Sequence, residues 1–289
     1  MKSIRNQSFI DDRLWYIEWL LMMRGWLSRV DLMDKFGIKG AAASRDIKRY
    51  KEQCDDNLYL DHRFKRYVAD LNKFKPVYET SEDLIFSKLT DLDESRSLGA
   101  GYPLIETIPS LAEIKPKDIT GITRAILNMN VLKISYCSMT SGASEKKIVP
   151  HSMFHNDLKT YVRCYDFGRG KFLDLVVGRI LEILGEDGSA PTECLREFDD
   201  DWNTYLSLEL VVHPRIKHKK AIESDMQMIN GVKVVEVRKS LAQYWLRRWC
   251  VDCSATASMT DKAFQLHLRN SSVIKGVNGA FPGVNNHID

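Results

Sequence analysis

Ser44, Arg45, Lys48 and Arg49 stand close together in "GIKGAAASRDIKRYKE" (37–52), and their chemistry is that of a polyanion reader. Long cations neutralise phosphates, and an arginine fork meets the O6 and N7 edge of guanine, worth roughly 1–3 kcal/mol of discrimination. On a helix, Ala43, Ile47 and Tyr50 fall at i, i+4 and i+7 and form an apolar stripe. The four polar residues then project from the other side. The alanines ahead of them favour helix and carry little bulk. They let the front of the helix, entered at Lys39, sit deep in a DNA major groove. The same composition also suits a solvated basic surface helix.

A second cationic group follows in "LYLDHRFKRYVADL" (58–71). Two β-prone runs flank "DHRFKR", a hairpin with Arg63, Lys65 and Arg66 near its tip. A basic hairpin directly after such a helix is a wing, which positions a protein on the DNA backbone. Phosphate neutralisation of this kind makes binding strongly salt-dependent.

Further along, Tyr136, Ser138, His151, Arg163 and Arg179 interrupt apolar β-runs. They form a candidate pocket for an anionic ligand, because arginine offers a planar donor fork to phosphate or carboxylate. Alternatively, the arginines pair with acids such as Asp166 and Asp174. Cys250 and Cys253 in "CVDC" have the spacing of half a zinc site, but no second ligand pair stands at a familiar distance. Two half-buried thiols on a helix fit better. "HPRIKHKK" (213–220) reads as a solvated basic loop and "EFDDDW" (197–202) as solvated acids at a domain junction. The chain carries no GxSxG, Walker A, HExxH or strand-following GxGxxG. No enzyme, metal or cofactor is expected.

The elements that must hold these groups are legible in outline. Leu14, Ile17 and Leu21 share a helical face that stops at Gly25. Ser28 and Asp31 make a capping-box-like start. Val30, Leu32, Met33 and Phe36 supply contacts, and Gly37 closes this short helix. With the basic helix beginning near Gly40, the order is helix-turn-helix followed by a wing. "VYETSEDLIFSKLTDL" is expected to be helical and "LGAGYPLIETIPSL" a Gly/Pro loop; both belong to a connector that packs on the winged helix. Ile122, Ala125, Ile126 and Met129 share one helical face. "VLKISYCS", "KKIVPHSMFH", "KTYVRCYDF" and "KFLDLVVGRILEI" then give four or five short strands with tight turns, the pattern of a small antiparallel barrel. From about Trp202, strand, helix, strand and helix alternate. The tail "GVNGAFPGVNNHID" is expected to fray.

Composition sets the bounds. The 289 residues, 44% hydrophobic and 28% charged, suffice for two or three domains with real cores and exclude wholesale disorder. Net charge is only +3, yet residues 1–75 hold 16 Lys and Arg against 11 Asp and Glu, and residues 76–120 hold 4 against 9. A basic head followed by an acidic connector suits nucleic-acid binding. Six irregularly spaced cysteines point to reduced thiols. No apolar run approaches the ~20 residues that span a bilayer. The N-terminus lacks the apolar core of a signal peptide, so a cytoplasmic protein is expected.

"YCS…KKIVPHSMF…TYVRCYDF…FLDLVVGRILEI" resembles a WYL domain. Thr160, Tyr161 and Val162 stand where the Trp-Tyr-Leu triad would. Tyr and Ser in the first strand, basic residues before a Pro-His step and the Arg of "GRI" are kept. With the winged helix before it and a WCX-like region after it, the order resembles the BrxR/CapW group of repressors that lie beside phage-defence operons. The resemblance implies an α+β chain: a winged helix-turn-helix at 1–75, a connector at 76–119, an Sm-like WYL barrel at 120–190 and a small α/β WCX-like dimerisation domain at 200–280. It implies that Tyr136, Ser138, His151, Arg163 and Arg179 hold a nucleotide or nucleic-acid effector. It also implies a homodimeric repressor on inverted-repeat double-stranded DNA, released by that ligand. A ligand-sensing activator of the same architecture, and a single-strand nucleic-acid module working through the barrel, are the alternatives.

Overall fold

The computed structural model describes residues 2–107, 112 and 114–284. The chain divides into two compact units, Met1–Pro109 and Ser110–Asp289.

In the first unit, α1 (Lys2–Arg24) stops at Gly25, as expected, and β1 (Trp26–Leu27) follows. Ser28 caps α2 (Arg29–Phe36), its backbone N–H and hydroxyl donating to the Asp31 carboxylate at 2.5 and 3.0 Å. Gly37 closes α2 at φ 63°, a left-handed conformation that a residue with a Cβ resists. The basic helix α3 (Gly40–Gln53) begins where expected. The hairpin of β2 (Leu58–Asp61) and β3 (Arg66–Ala69) joins β1 in a three-stranded sheet of order β1-β3-β2. Ala43, Ile47 and Tyr50 pack with Leu14, Ile17, Leu20 and Leu32 in one core. This is a winged helix-turn-helix.

The chain continues through α4 (Glu82–Thr90) and α5 (Leu92–Ser97), with Tyr78, Ile85 and Leu89 packed on that same core. A buried polar clasp binds the parts together. The Glu18 carboxylate of α1 accepts from the Tyr50 hydroxyl at 2.9 Å and from the Val77 and Tyr78 N–H groups at 3.0 and 2.8 Å. Asn57 donates to the Tyr50 hydroxyl at 3.0 Å and to the Lys75 carbonyl at 2.9 Å. Burial pushes the Tyr50 phenol well above its ordinary pKa, so it stays a donor. Replacing Glu18 by glutamine leaves one of these donors short of an acceptor and is expected to cost about 1–3 kcal/mol in urea unfolding.

In the second unit, α6 (Pro116–Leu127) buries Ile122 and Ala125. Met129 is not on that face: it follows the helix at φ 54° and is exposed. Then come β4 (Asn130–Ser138), β5 (Gly142–His155), β6 (Thr160–Asp166), β7 (Lys171–Val176) and β8 (Ile180–Ser189). They form one antiparallel sheet of order β7-β6-β5-β4-β8. The strands are those expected, but the barrel is not closed. Strands β7 and β8 are edges, joined through a 3₁₀ turn at Val177–Arg179 with no ladder between them among the described residues.

The remainder holds α7 (Asp200–Asn203), β9 (Tyr205–Val212), α8 (Lys219–Asp225), β10 (Val232–Arg238), α9 (Ala242–Arg248), β11 (Val251–Asp252) and β12 (Leu266–Leu268). Its sheet has the order β10-β9-β12-β11. Strand and helix alternate as expected. Cys250 and Cys253, expected on a helix, instead flank β11, and burial pushes the Cys253 thiol up to about 12. The tail does not fray over 276–284: Phe281 is buried and the Pro282 carbonyl accepts from Cys253 N–H at 2.9 Å. Residues 285–289 of that tail, and 108–111 and 113 of the expected connector, lie outside the described residues. Among the described residues no helix is long and apolar enough to cross a membrane.

Candidate nucleic-acid interface and anion cleft

Burying Ala43, Ile47 and Tyr50 turns Arg45, Lys48 and Arg49 outward, and all three are exposed; Ser44 is half-buried. The acid nearest these cations in sequence, Asp46, is instead buried, 2.6 Å from Arg13 Nε. The outer face is therefore purely cationic over this turn. Lys48 reaches Glu52 at 3.7 Å, a solvated pair worth less than ~1 kcal/mol. Lys39 is the N-cap of α3 and provides no side-chain acceptor, which leaves the positive end of the helix dipole open to a phosphate. Arg29, not singled out from the sequence, brings Nη1 to 3.5 Å of Ser44 Oγ. An isolated arginine in a helix's first turn gives no periodic signal.

The wing is the expected hairpin. Arg63 and Lys65 are exposed, and the half-buried Arg66 lies over Trp26, 4.8 Å from the ring centre.

The five polar residues of the second unit separate into two places. Tyr136, Ser138 and Arg179 line a cleft of about 360 Å³ together with Lys146, Arg169, Lys171, Asp166 and Asp174. The Tyr136 hydroxyl accepts from Val176 N–H at 3.2 Å, and Ser138 Oγ accepts from Thr140 N–H at 3.2 Å. Arg179 Nη2 lies 3.1 Å from the Met139 sulfur, a weak acceptor that leaves most of the guanidinium available. Lys146 pairs with the buried Asp166 at 2.6 Å. Four cations face two carboxylates here, so the cleft attracts anions. Arg169 and Lys171, in and beside a turn, and Lys146, within β5, were missed from sequence because such cations look like ordinary solvated ones.

Arg163 and His151 face elsewhere. The β5–β6 register shifts between Pro150 and Ser152, and such a bulge re-aims a side chain. His151 Nε2 thereby lies 3.0 Å from Asp199 Oδ2. Arg163 forks onto the same carboxylate, Nε to Oδ2 at 2.7 Å and Nη2 to Oδ1 at 2.9 Å. Its Nη1 donates to Asp174 at 3.2 Å, and the Tyr244 hydroxyl donates to that acid at 2.9 Å. Asp199, Arg163 and His151 are all buried. Burial alone would raise the Asp199 pKa, but hydrogen bonds from His151 and Arg163 outweigh it and hold the carboxyl well below the usual range. Asp199 belongs to "EFDDDW", expected to be solvated; it is an interior anchor.

Around this anchor Phe154 stacks on Tyr161 at 4.9 Å, and Tyr161 meets Tyr244 at 4.8 Å. The middle residue of Thr160-Tyr161-Val162 thus packs the β4–β8 sheet against α9. In "HPRIKHKK", His213 is buried 3.2 Å from Asp252, while Lys217, Lys219 and Lys220 are exposed.

Three family models match the chain in this order. "BrxR transcriptional regulator winged helix-turn-helix domain" matches residues 10–84, "WYL domain" residues 118–183, and "BrxR transcriptional regulator, C-terminal dimerization domain" residues 205–274. Similar proteins include the "DNA-binding transcriptional repressor CapW" of Pseudomonas aeruginosa, 30% identical over 276 residues, covering 91% of this chain and 90% of that one. The protein of the same name from Escherichia coli (strain KTE188) is 29% identical over 273 residues, covering 91% and 89%. Among solved structures, "Proteasome accessory factor B/C (PafBC) of Arthrobacter aurescens" aligns with 16% identity and a TM-score of 0.25, covering 91% of this chain and 47% of that one.

Proposed function

We propose that this chain, which belongs to the BrxR/CapW family of WYL-domain transcriptional regulators, is a homodimeric repressor that reads double-stranded DNA with α3. Its family is one of regulators, not enzymes. The observation that carries the reading is the outer face of α3, where Ser44, Arg45, Lys48 and Arg49 stand clear of a buried apolar stripe. Arg63, Lys65 and Arg66 of the wing hold the flanking backbone. The C-terminal region joins two copies, and a two-fold dimer reads an inverted repeat with half-sites about one helical turn apart or a multiple of it. By kinship with the CapW repressors the controlled operon is one of phage defence.

Release comes from an anionic ligand, a nucleotide or a nucleic-acid end, bound between Tyr136, Ser138 and Arg179. The surplus of Lys146, Arg169 and Lys171 over the acids of that cleft supports this chemistry. His151 and Arg163 act behind it as the support that ties the sheet to the C-terminal region. Ligand binding shifts DNA affinity only by its differential affinity for the two states.

The reading is tested by gel shift with the upstream promoter duplex. The expected result is binding that weakens about 10³–10⁵-fold between roughly 50 and 200 mM salt, the behaviour of 6–10 neutralised phosphates. Single strands that compete better than any duplex would overturn it. Arg179→Ala is expected to leave duplex binding within about twofold and to abolish release by added nucleotides or oligonucleotides; unchanged release would remove the cleft from the account.

A further inference from the structure

At the tip of the wing Phe64 is 58% exposed, an aromatic ring standing among cations. Its surroundings fix it in place. Asp61 Oδ1 accepts from the N–H groups of Arg63 and Phe64 at 2.9 and 3.2 Å, and Lys65 takes φ 51° to close the turn. The guanidinium of Arg63 lies 5.3 Å from the Phe64 ring centre and that of Arg66 lies 5.0 Å from it. Arg66 also covers Trp26 at 4.8 Å, and Trp26 is covered in turn by Arg24 at 3.8 Å. Cation and aromatic ring alternate from the end of α1 to the wing tip, each contact within cation–π range. Trp26 is paired with Val68 of β3, so the base of this column belongs to the sheet.

Such a column has no use in a wing that only neutralises phosphate, for which mobile lysines suffice. An ordered, exposed ring loses little conformational freedom on binding, which makes it an effective contact. Its partner is set by its neighbours. Arg63, Lys65 and Arg66 draw a polyanion to the tip, but a phosphate offers an apolar ring nothing. The ring must reach past the backbone to the bases. Between its phosphate rails the minor groove is the narrow space a single ring enters, and apolar side chains act there as wedges that open a base step.

We infer that Phe64 inserts into the minor groove beside each half-site as an apolar wedge, held by the Arg63, Arg66 and Trp26 column. This rests on the DNA-binding reading above and adds to it a second source of specificity. A wedge favours steps that unstack easily, so the wing position should prefer TA or CA/TG over a stiff A-tract although no hydrogen bond reads them.

The test uses the full-length protein and the promoter duplex, with affinity measured across salt and bending by energy transfer between end labels. Phe64→Ala is expected to weaken binding about tenfold, the scale of one lost aromatic–base contact, with the salt slope unchanged and the bend reduced. Phe64→Trp should retain both, and Arg63→Ala should instead lower the slope by about one. Replacing the TA or CA/TG step with an A-tract should weaken the wild type but not Phe64→Ala. Phe64→Ala binding within about twofold of wild type at equal bend would overturn the inference, as would a lowered slope, which would mean the ring only positions its arginines. If the wild type binds no duplex, the functional reading itself falls, and the inference with it.

Discussion

Asp199→Ala is expected to destabilise the second unit by about 3–5 kcal/mol, the cost of breaking a buried ion pair from one side. The mutation removes both bonds of the Arg163 fork and the partner of His151 in one step, at side chains that are nearly solvent-free. Arg163 keeps only its 3.2 Å bond to Asp174 and is otherwise a buried charge without a counter-ion. Replacing both members, Asp199→Leu with Arg163→Met, should recover part of the loss, because the buried guanidinium is gone, while Asp174 keeps only the Tyr244 hydroxyl. Hydrogen exchange of the β5 and β6 amides across a urea series reads the change in this unit alone. A loss below about 1 kcal/mol would mean the anchor is solvated in practice. Acid acts through the same carboxyl. Its folded pKa lies below the unfolded value of about 3.9, so its contribution is complete above that value and fades as pH falls toward the folded one. Unfolding near pH 3 should therefore be somewhat less sensitive to Asp199→Asn than unfolding at pH 7, with most of the contribution still present there.

The second large effect falls on DNA. Arg45→Ala combined with Arg49→Ala is expected to weaken duplex binding by about 30-fold to 10⁴-fold, two contacts at roughly 1–3 kcal/mol each, and to flatten the preference between operator and unrelated sequence. Both side chains are exposed on α3 and make no ion pair among the described residues, so unfolding should move by less than about 0.5 kcal/mol. The stability control matters, since a folded protein that no longer binds isolates the interface from the core. A loss smaller than about threefold would show that α3 does not enter the groove.

What was legible in the sequence follows the range of the interactions. Ala43, Ile47 and Tyr50 mark their own helix because burial repeats with the helical period, and Gly37 marks its end because few other residues accept φ 63°. The wing was readable from two β-prone runs and a polar turn. Long-range pairing was not. Glu18 meets Tyr78 60 positions away, and Arg163 meets Asp199 36 positions away, so neither partner appears in any local window. The strands of the β4–β8 sheet were visible, but closure depends on register. The β4–β8 pairing slips at three places, between Asn130 and Leu132, Lys133 and Ile134, and Ser135 and Tyr136. Arg163 and Arg179 also looked equivalent on paper. One is an internal anchor on β6 and the other closes the 3₁₀ turn before β8 and lines a cleft, a difference that strand alternation does not encode.

The central claim is that the outer face of α3 neutralises and reads duplex DNA. Its most direct test is the slope of log Kd against log salt for the promoter duplex, wild type beside the Arg45→Ala, Arg49→Ala variant. Two lost phosphate or base-edge cations predict a slope shallower by about 1–2, at roughly 0.9 per phosphate contact. Equal slopes for the two proteins would contradict the account.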